Sequence, residues 1–295
     1  MTSPQFVLGI DIGGTKTALA CATLDGTLLC SERIPTGAAH GADHVIGRIL
    51  ANARALLART EGDLVGVGAA TPGVVREDRI LLAPNNPGWD TVALAPLLRA
   101  ELGVARVVVD NDVKVAALAE ARLGALTDVS HGIFLNLGTG LAAAAVIEGT
   151  VLRGAHGAAT EIAYQVMDGI TARTGRAPLE ERVSGAGIAR RASELLGRTV
   201  TTRQALALAE HNTALGVLVD DAFDTLSAHL ANLAITLDPQ RIAVGGGMAS
   251  YHARLFPRLA AALQATVPFP PELVLARFTQ DGALTGALLL AAEAS

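Results

Sequence analysis

The chain has 295 residues, enough for one large domain or two domains of ordinary size. It is 51% hydrophobic with a mean hydropathy of +0.41, so it can bury a sizeable core and is too apolar to be disordered. The net charge of −5 without a basic run argues against a nucleic-acid partner, and no apolar run approaches the roughly 18 residues of a membrane span, so we expect a cytoplasmic protein without a membrane partner.

The first predicted element is a β-hairpin over Val7–Ala20. An apolar strand ends in Asp11, a polar turn follows, and the chain then becomes apolar again. Because glycine has no Cβ, the N–H groups of such a turn can approach an anion closely, and a concave run of them suits a phosphate group. Asp25-Gly26 predicts a second turn and a third antiparallel strand within residues 6–34. The first turn consists of Gly13, Gly14, Thr15 and Lys16.

Helices and strands alternate through the rest of the first half. Hydrophobic spacing predicts a helix over residues 46–59 and buried strands over 64–70 and 104–109. Pro84–Trp89 is a dense loop signal that carries two adjacent amides, Asn85 and Asn86. The last strand runs into Asp110-Asn111-Asp112, where a helix begins. We place the domain boundary there, with an N-terminal domain over 1–112, completed by a C-terminal helix over 282–295, and a C-terminal domain over 113–281.

The second half opens with a copy of the glycine hairpin at Phe134–Ile147, whose turn is Gly138, Thr139 and Gly140. Glu148-Gly149 then repeats the acid-glycine turn of the first copy. An internal repeat at this distance predicts two similar halves, whose two glycine turns could hold one polyphosphate between them.

Further elements of the second half continue the alternation. We predict helices over residues 186–196, 202–210, 214–237 and 283–292, and strands over 241–244 and 273–276. The strand at 241–244 runs into Gly245, Gly246 and Gly247. Interleaved strands and helices predict the α/β class.

Nine motifs in this order are similar to those of one family. They are DIGGTKTALA, TPG, PNNPGW, DNDVKVAALAE, LGTG, GAHGAATEI, LEERVSG, LDPQRIAVGGG and DGALTGALLLA. Together they resemble the ROK family of bacterial sugar kinases and repressors across essentially the whole chain. The resemblance implies the actin-like ATPase fold, a duplicated ribonuclease H-like architecture with two α/β domains around a cleft. It also implies an ATP-dependent kinase acting on the 6-hydroxyl of glucose or a related hexose, and a homodimer.

The resemblance makes Asp112 the candidate catalytic base. Phosphoryl transfer to an alcohol needs a group that accepts the hydroxyl proton and orients the oxygen. Two alternatives stay open. Asp112 precedes a helix and is also a typical N-cap, and Asp110 is a rival carboxylate.

The same resemblance assigns ligands to the remaining motifs. Asp11 would hold Mg²⁺ through water, and the two glycine turns would bind the phosphates of ATP, with Gly245–Gly247 on the adenosine side. Tyr164 stands where many family members have a histidine that touches sugar and helps hold zinc, and Thr171–Leu179 lacks their cysteine run, so we expect no zinc. The implied sugar-binding residues are Asn85, Asn111, Asp112, Glu161, Tyr164 and Glu180.

Two other functions compete with the kinase. The family's repressors carry an N-terminal helix-turn-helix, and only five residues precede the first predicted strand here, so we do not expect a repressor. A non-catalytic sugar-binding or sugar-sensing protein is the alternative. The retained Asp11, Lys16 and Asp112 favour catalysis, and the sequence leaves the identity of the sugar open.

Overall fold

The computed structural model describes residues 3–167 and 177–293, which form two compact α/β units. The first unit comprises Met1–Ala119, Arg153–Ala159 and Gln280–Ser295, and therefore includes the C-terminal helix. The second unit comprises Glu120–Leu152 and Thr160–Thr279.

Twelve strands and nine helices are defined within the described residues. The strands are β1 (Gln5–Ile12), β2 (Lys16–Thr23), β3 (Leu28–Pro35), β4 (Asp63–Thr71), β5 (Val74–Val75), β6 (Ile80–Leu81), β7 (Val107–Asn111), β8 (His131–Leu137), β9 (Leu141–Ile147), β10 (Thr150–Val151), β11 (Arg241–Gly245) and β12 (Glu272–Leu275). The helices are α1 (Ala42–Leu57), α2 (Leu94–Leu102), α3 (Asp112–Leu123), α4 (Pro178–Val183), α5 (Gly185–Leu196), α6 (Thr202–Leu208), α7 (Thr213–Leu237), α8 (His252–Thr266) and α9 (Gly282–Glu293).

Both units are built on a five-stranded sheet of the same design. In the first unit the order is β3-β2-β1-β4-β7, with β1 to β3 antiparallel and β4 and β7 added in parallel. The second unit repeats this as β10-β9-β8-β11-β12. The predicted internal repeat is therefore confirmed at the level of sheet topology, and each glycine turn joins the central strand to its antiparallel neighbour.

Most elements predicted from hydrophobic spacing are present within a few residues of their expected bounds. Three helices were not predicted, α2, α4 and α8. Helix α8 contains Pro257, which lacks the N–H of a regular helix and lowers the apparent helix signal. It is retained because Leu255, Leu259 and Leu263 bury one face in the core of the second unit.

The C-terminal helix α9 packs closely against the first sheet, contacting β1, β2 and β4. Glycines make this approach possible. A Cβ atom on Gly9 would lie 2.8 Å from a side-chain carbon of Leu288, and one on Gly66 would lie 2.7 Å from the carbonyl oxygen of Ala291. A Cβ atom on Gly68 would lie still closer to the carbonyl oxygen of Ala287. The strand glycines therefore set the distance between α9 and the sheet.

Searching the described part of the chain for a helix that could cross a lipid bilayer gave none of sufficient length and apolar character.

We predict that Gly68→Ala destabilises the protein by about 1–3 kcal/mol or more, because the new methyl group would overlap the backbone of α9. Gly47→Ala is the matched control, since Gly47 lies in helix α1 with no atom near its Cβ position and alanine favours helix. Urea denaturation would measure both. Equal stability of Gly68→Ala and wild type would contradict the packing described here.

Candidate active site

The first glycine turn is held by a residue that lies outside it. The N–H of Gly13 donates to the carbonyl of Lys16 at 3.0 Å, which closes the turn between β1 and β2. The hydroxyl of Thr36 donates to the carbonyl of Gly13 at 2.6 Å, and the Thr36 N–H donates to the carbonyl of Thr15 at 2.9 Å. No atom lies within 4 Å of a Cβ position on Gly14, so this part of the turn faces open space. Thr36 was missed in the sequence because nothing marks it as a partner of the turn.

Asp11 lies near the end of β1 on the same face of the sheet as Arg33. Asp11 is paired with Ala18 on β2, and Ala18 is paired with Arg33 on β3, so the three side chains project from one face. Arg33 forms an ion pair with Asp281 at the start of α9. Burial, together with the negative charges of Asp112 and Asp281, raises the pKa of Asp11 to about 7, and the positive charge of Arg33 opposes this shift. The structure thus gathers carboxylates around Asp11.

The N-terminus of α3 is capped by Asn111. Its side-chain oxygen accepts the N–H groups of Val113 at 3.0 Å and Lys114 at 3.1 Å, and its amide nitrogen donates to the carbonyl of Gly73 at 3.0 Å. Asn111, and not Asp112, is therefore the main N-cap of α3. One Asp112 oxygen also lies 2.9 Å from the Val113 nitrogen. The Asn111 amide group has two hydrogens, and one of them is used by the Gly73 carbonyl, so one remains to donate to a ligand. The contact of Asn111 with a sugar stays a prediction.

Asp110, the rival carboxylate, is committed to another partner. One of its oxygens accepts the Nε–H of Arg153 at 2.7 Å, and the other accepts the N–H of Asn111 at 2.8 Å. Both residues of this ion pair belong to the first unit. Both oxygens of Asp110 are therefore occupied by hydrogen bonds, and the choice of Asp112 as the group that meets a substrate stays a prediction.

The two adjacent amides of the Pro84–Trp89 loop differ sharply. Asn85, the predicted sugar-binding residue, is exposed. Asn86 is 3% exposed, and neither of its side-chain amide atoms has a hydrogen-bond partner among residues 3–167 and 177–293. The loop is anchored by Trp89, whose indole N–H donates to the hydroxyl of Thr71 at 2.7 Å. The buried amide of Asn86 was not anticipated from the sequence.

In the second unit, two predicted nucleotide-binding segments line one cavity of about 250 Å³. Its lining includes Gly138 and Thr139 of the second glycine turn together with Gly247, and a Cβ on Gly138 would lie 4.0 Å from the Gly247 nitrogen. No atom lies within 4 Å of a Cβ position on Gly247. The sequence did not single out the rest of the lining, which includes Arg203 and Tyr251.

The other two glycines of the Gly245–Gly247 segment serve the fold. A Cβ on Gly245 would lie 2.8 Å from the ring of Phe134. Gly246 has φ +84°, a conformation that favours glycine, and its Cβ position is close to the carbonyl of Leu137. Gly247 alone of the three lines the cavity described above, and the predicted ligand contacts of Gly245 and Gly246 stay predictions.

Glu161, Tyr164 and Glu180, three predicted sugar-binding residues of the second unit, interact electrostatically. Burial raises the pKa of the Tyr164 phenol, and the charges of Glu161 and Glu180 raise it further. Burial also raises the pKa of Glu180, although a bond from the Leu141 N–H opposes this. Tyr164 lies in a short 3-10 helix, Ile162–Tyr164. Residues 171–176 of the segment predicted to lack a zinc site lie outside the described residues.

The residues around Asp11 fit a hydrated divalent cation. Within the described residues, no group of three or more His, Cys, Asp or Glu side chains could hold a metal ion directly. The crowding of Asp112 and Asp281 around Asp11 nevertheless makes a cation favourable there, and oxygen donors suit magnesium. The binding of Mg²⁺ by Asp11 through water stays a prediction.

Comparison with known proteins identifies the family. The sequence model of the ROK family matches residues 7–294. The chain belongs to the ROK family. It is 32% identical to a glucokinase of Halalkalibacterium halodurans over 83% of this chain and 81% of the relative. It is also 29% identical to a kanosamine kinase of Amycolatopsis mediterranei over 97% of each chain.

Solved structures support the same assignment. A ROK family glucokinase from Streptomyces griseus, solved in complex with glucose and AMPPNP, superposes with a TM-score of 0.79 at 26% identity, covering 98% of this chain and 99% of that one. The ROK chain described here thus has the actin-like ATPase fold, as the motifs predicted.

We predict that Asp11→Asn stabilises the protein more at pH 8 than at pH 4. The pKa of Asp11 is raised from 3.8 to about 7 in the folded protein. Between these two pH values the folded protein keeps the Asp11 proton while the unfolded chain has lost it, so the stability of the wild type falls as the pH rises through this range. A shift of one pKa unit corresponds to about 1.4 kcal/mol, so Asp11→Asn should raise the free energy of unfolding by a few kcal/mol at pH 8. Urea denaturation at several pH values tests this, and a benefit independent of pH would contradict it.

We predict that Asn86→Leu stabilises the protein by about 1–3 kcal/mol, because a buried amide without partners is replaced by an apolar group. Asn85→Leu, at the exposed neighbouring position, should change stability little. Thermal denaturation of both variants would measure this. A destabilised Asn86→Leu would mean that the amide is bonded in solution, for example to a buried water.

Proposed function

We propose that this ROK protein is an ATP-dependent sugar kinase that transfers the γ-phosphate to a hydroxyl, most simply the 6-hydroxyl, of glucose or a related hexose. The observation that carries the proposal is the surroundings of Asp112. Asp112 begins α3, whose first turn is fixed by the side chain of Asn111, and the neighbouring Asp110 is paired with Arg153. The negative charge of Asp112 also raises the pKa of Asp11, which lies beside the first glycine turn.

Asp112 acts as the general base in the proposed reaction. It accepts the proton of the sugar hydroxyl while that oxygen forms a bond to the γ-phosphorus. The bond from this phosphorus to the bridging oxygen of ATP breaks, and ADP leaves. Asn111 positions Asp112 by fixing the first turn of α3.

Phosphate binding is assigned to the backbone of the glycine turns. Gly14 and Gly138 leave space where a side chain would obstruct an anion. Lys16, which is exposed at the start of β2, adds positive charge. Mg²⁺, when bound through water by Asp11, supplies charge that neutralises the phosphate oxygens.

The nucleoside is assigned to the cavity beside Gly138, Thr139 and Gly247. Its volume of about 250 Å³ is smaller than that of most ligand pockets, so part of the bound nucleoside would lie outside the cavity. Tyr251 and Arg203 are available to contact the base or ribose there.

The sugar is proposed to be a hexose bound by Asn85, Glu161, Tyr164 and Glu180. Relatives include both a glucokinase and a kanosamine kinase, so related chains act on both a neutral and an amino sugar. A phenol at position 164 donates or accepts a hydrogen bond but carries no positive charge at neutral pH. An ADP-release assay with a panel of hexoses, amino-hexoses and N-acetylhexosamines tests the proposal. A lack of sugar-stimulated ADP release with every member would support the non-catalytic alternative.

We predict that Asp112→Asn lowers turnover by about 10²-fold or more, because the amide cannot accept the hydroxyl proton, while the sugar still binds. Asp43→Asn, an exposed carboxylate on α1, is the control and should retain wild-type turnover. Steady-state kinetics and sugar titration by calorimetry separate turnover from binding. Near-normal turnover of Asp112→Asn would remove Asp112 from its proposed role.

The homodimer, the absence of zinc and the boundary at residue 112 stay predictions.

A further inference from the structure

The second glycine turn is held at both ends by one short segment, residues 180–186, which we call the clamp segment. The N–H of Gly185 donates to the carbonyl of Gly138 at 3.0 Å, and the N–H of Ala186 donates to the carbonyl of Thr139 at 3.0 Å. At the other end of the turn, Oε2 of Glu180 accepts the N–H of Leu141 at 2.8 Å. The turn is therefore fixed on its entry side by backbone groups and on its exit side by a carboxylate.

Glycines allow both contacts. A Cβ on Gly140 would lie 2.5 Å from Oε2 of Glu180, so the carboxylate occupies the space that a side chain would need. A Cβ on Gly185 would lie 2.7 Å from the carbonyl oxygen of Gly138. The clamp segment is thus fitted to the turn at close range.

The clamp segment is itself well ordered by hydrogen bonds. The N–H of Ser184 donates to the carbonyl of Glu180 at 3.0 Å and closes the last turn of α4. The Ser184 hydroxyl, in a residue that is 1% exposed, accepts the N–H of Gly187 at 3.1 Å and caps α5. A displacement of Glu180 would therefore be transmitted along a short, bonded path to Gly185 and the turn.

The second oxygen of the Glu180 carboxylate, Oε1, does not contact the glycine turn through a hydrogen bond. Oε1 makes no hydrogen bond to any residue in the part of the chain that the structure describes. The carboxylate also senses the charge of Glu161 and lies near the Tyr164 phenol. One oxygen thus fastens the phosphate-binding turn, while the other is available to a ligand hydroxyl on the side where sugar binding is proposed.

We propose that Glu180 is a positioning residue that couples sugar binding to nucleotide binding, by fastening the second glycine turn through the Leu141 N–H while its other oxygen receives a sugar hydroxyl. This inference rests on the proposed function. A sugar that orders the Glu180 side chain also orders the turn, so the nucleotide binds a turn already in place. Linkage then requires the nucleotide to strengthen sugar binding by the same factor.

The test measures the affinity for AMPPNP with Mg²⁺, by calorimetry, with and without a saturating concentration of the hexose that gives the highest kcat/KM. In wild type we expect sugar to tighten AMPPNP binding by about 5-fold or more. In Glu180→Ala we expect weaker AMPPNP binding without sugar, and a coupling factor that falls to within about 2-fold of one. A residue that only contacts sugar would leave AMPPNP binding without sugar unchanged.

Two further variants serve as controls. Glu180→Gln keeps an amide oxygen that can accept the Leu141 N–H, so it should retain much of the coupling. Glu194→Ala removes an exposed glutamate of α5 that pairs with Arg190 outside the clamp segment, and it should leave both affinities unchanged.

Gly140→Ala tests the path independently of Glu180 itself. The new methyl group would displace the flexible end of Glu180 from Leu141, so it should reduce coupling as Glu180→Ala does. The double variant should then lose no more coupling than either single variant. Additive losses would overturn the inference.

The outcomes separate the inference from the proposed function. Wild type that phosphorylates a sugar, together with Glu180→Ala that keeps normal AMPPNP affinity and normal coupling, overturns the inference alone. Wild type that neither binds AMPPNP nor phosphorylates any sugar of the panel overturns the proposed function as well. Circular dichroism of each variant confirms that a lost affinity is not lost folding.

Discussion

Neither glycine turn is held by its own residues alone, and the candidate site depends on the groups that hold them. Thr36 donates a hydroxyl hydrogen bond to the first turn, and residues 180–186 bond both ends of the second. A glycine-rich turn without such support would populate many backbone conformations, since glycine restricts φ and ψ least. The partners hold each turn in one backbone conformation, as the proposed binding of phosphate by its N–H groups requires.

Electrostatic crowding is the second constraint on the first unit. Asp11 and its carboxylate neighbours are tolerated because Arg33 lies on the same sheet face and pairs with Asp281. Such crowding costs stability in the free protein and is relieved by a bound cation. Stability given up at a binding site is a common feature of enzymes whose sites must receive charged ligands.

The sequence was sufficient for the repeated hairpins, because an apolar run, a glycine turn and a second apolar run constrain the backbone locally. It was also sufficient for the family and its fold, through nine ordered motifs. It was insufficient wherever a role depends on partners distant in the chain. The cap on α3 could have been Asn111 or Asp112, and only the geometry assigned it to Asn111. Likewise, nothing in the Asn85-Asn86 pair indicates which amide is buried.

The packing of α9 on β1 joins segments far apart in the sequence, with consequences for biosynthesis. Strands β1 and β4 leave the ribosome long before α9, the helix that covers their glycine-rich face. Until α9 is made, that face has no permanent cover, and its backbone is open to wrong partners. Contacts between residues so far apart in sequence also form slowly. The first unit can therefore complete its core only after α9 has been synthesised.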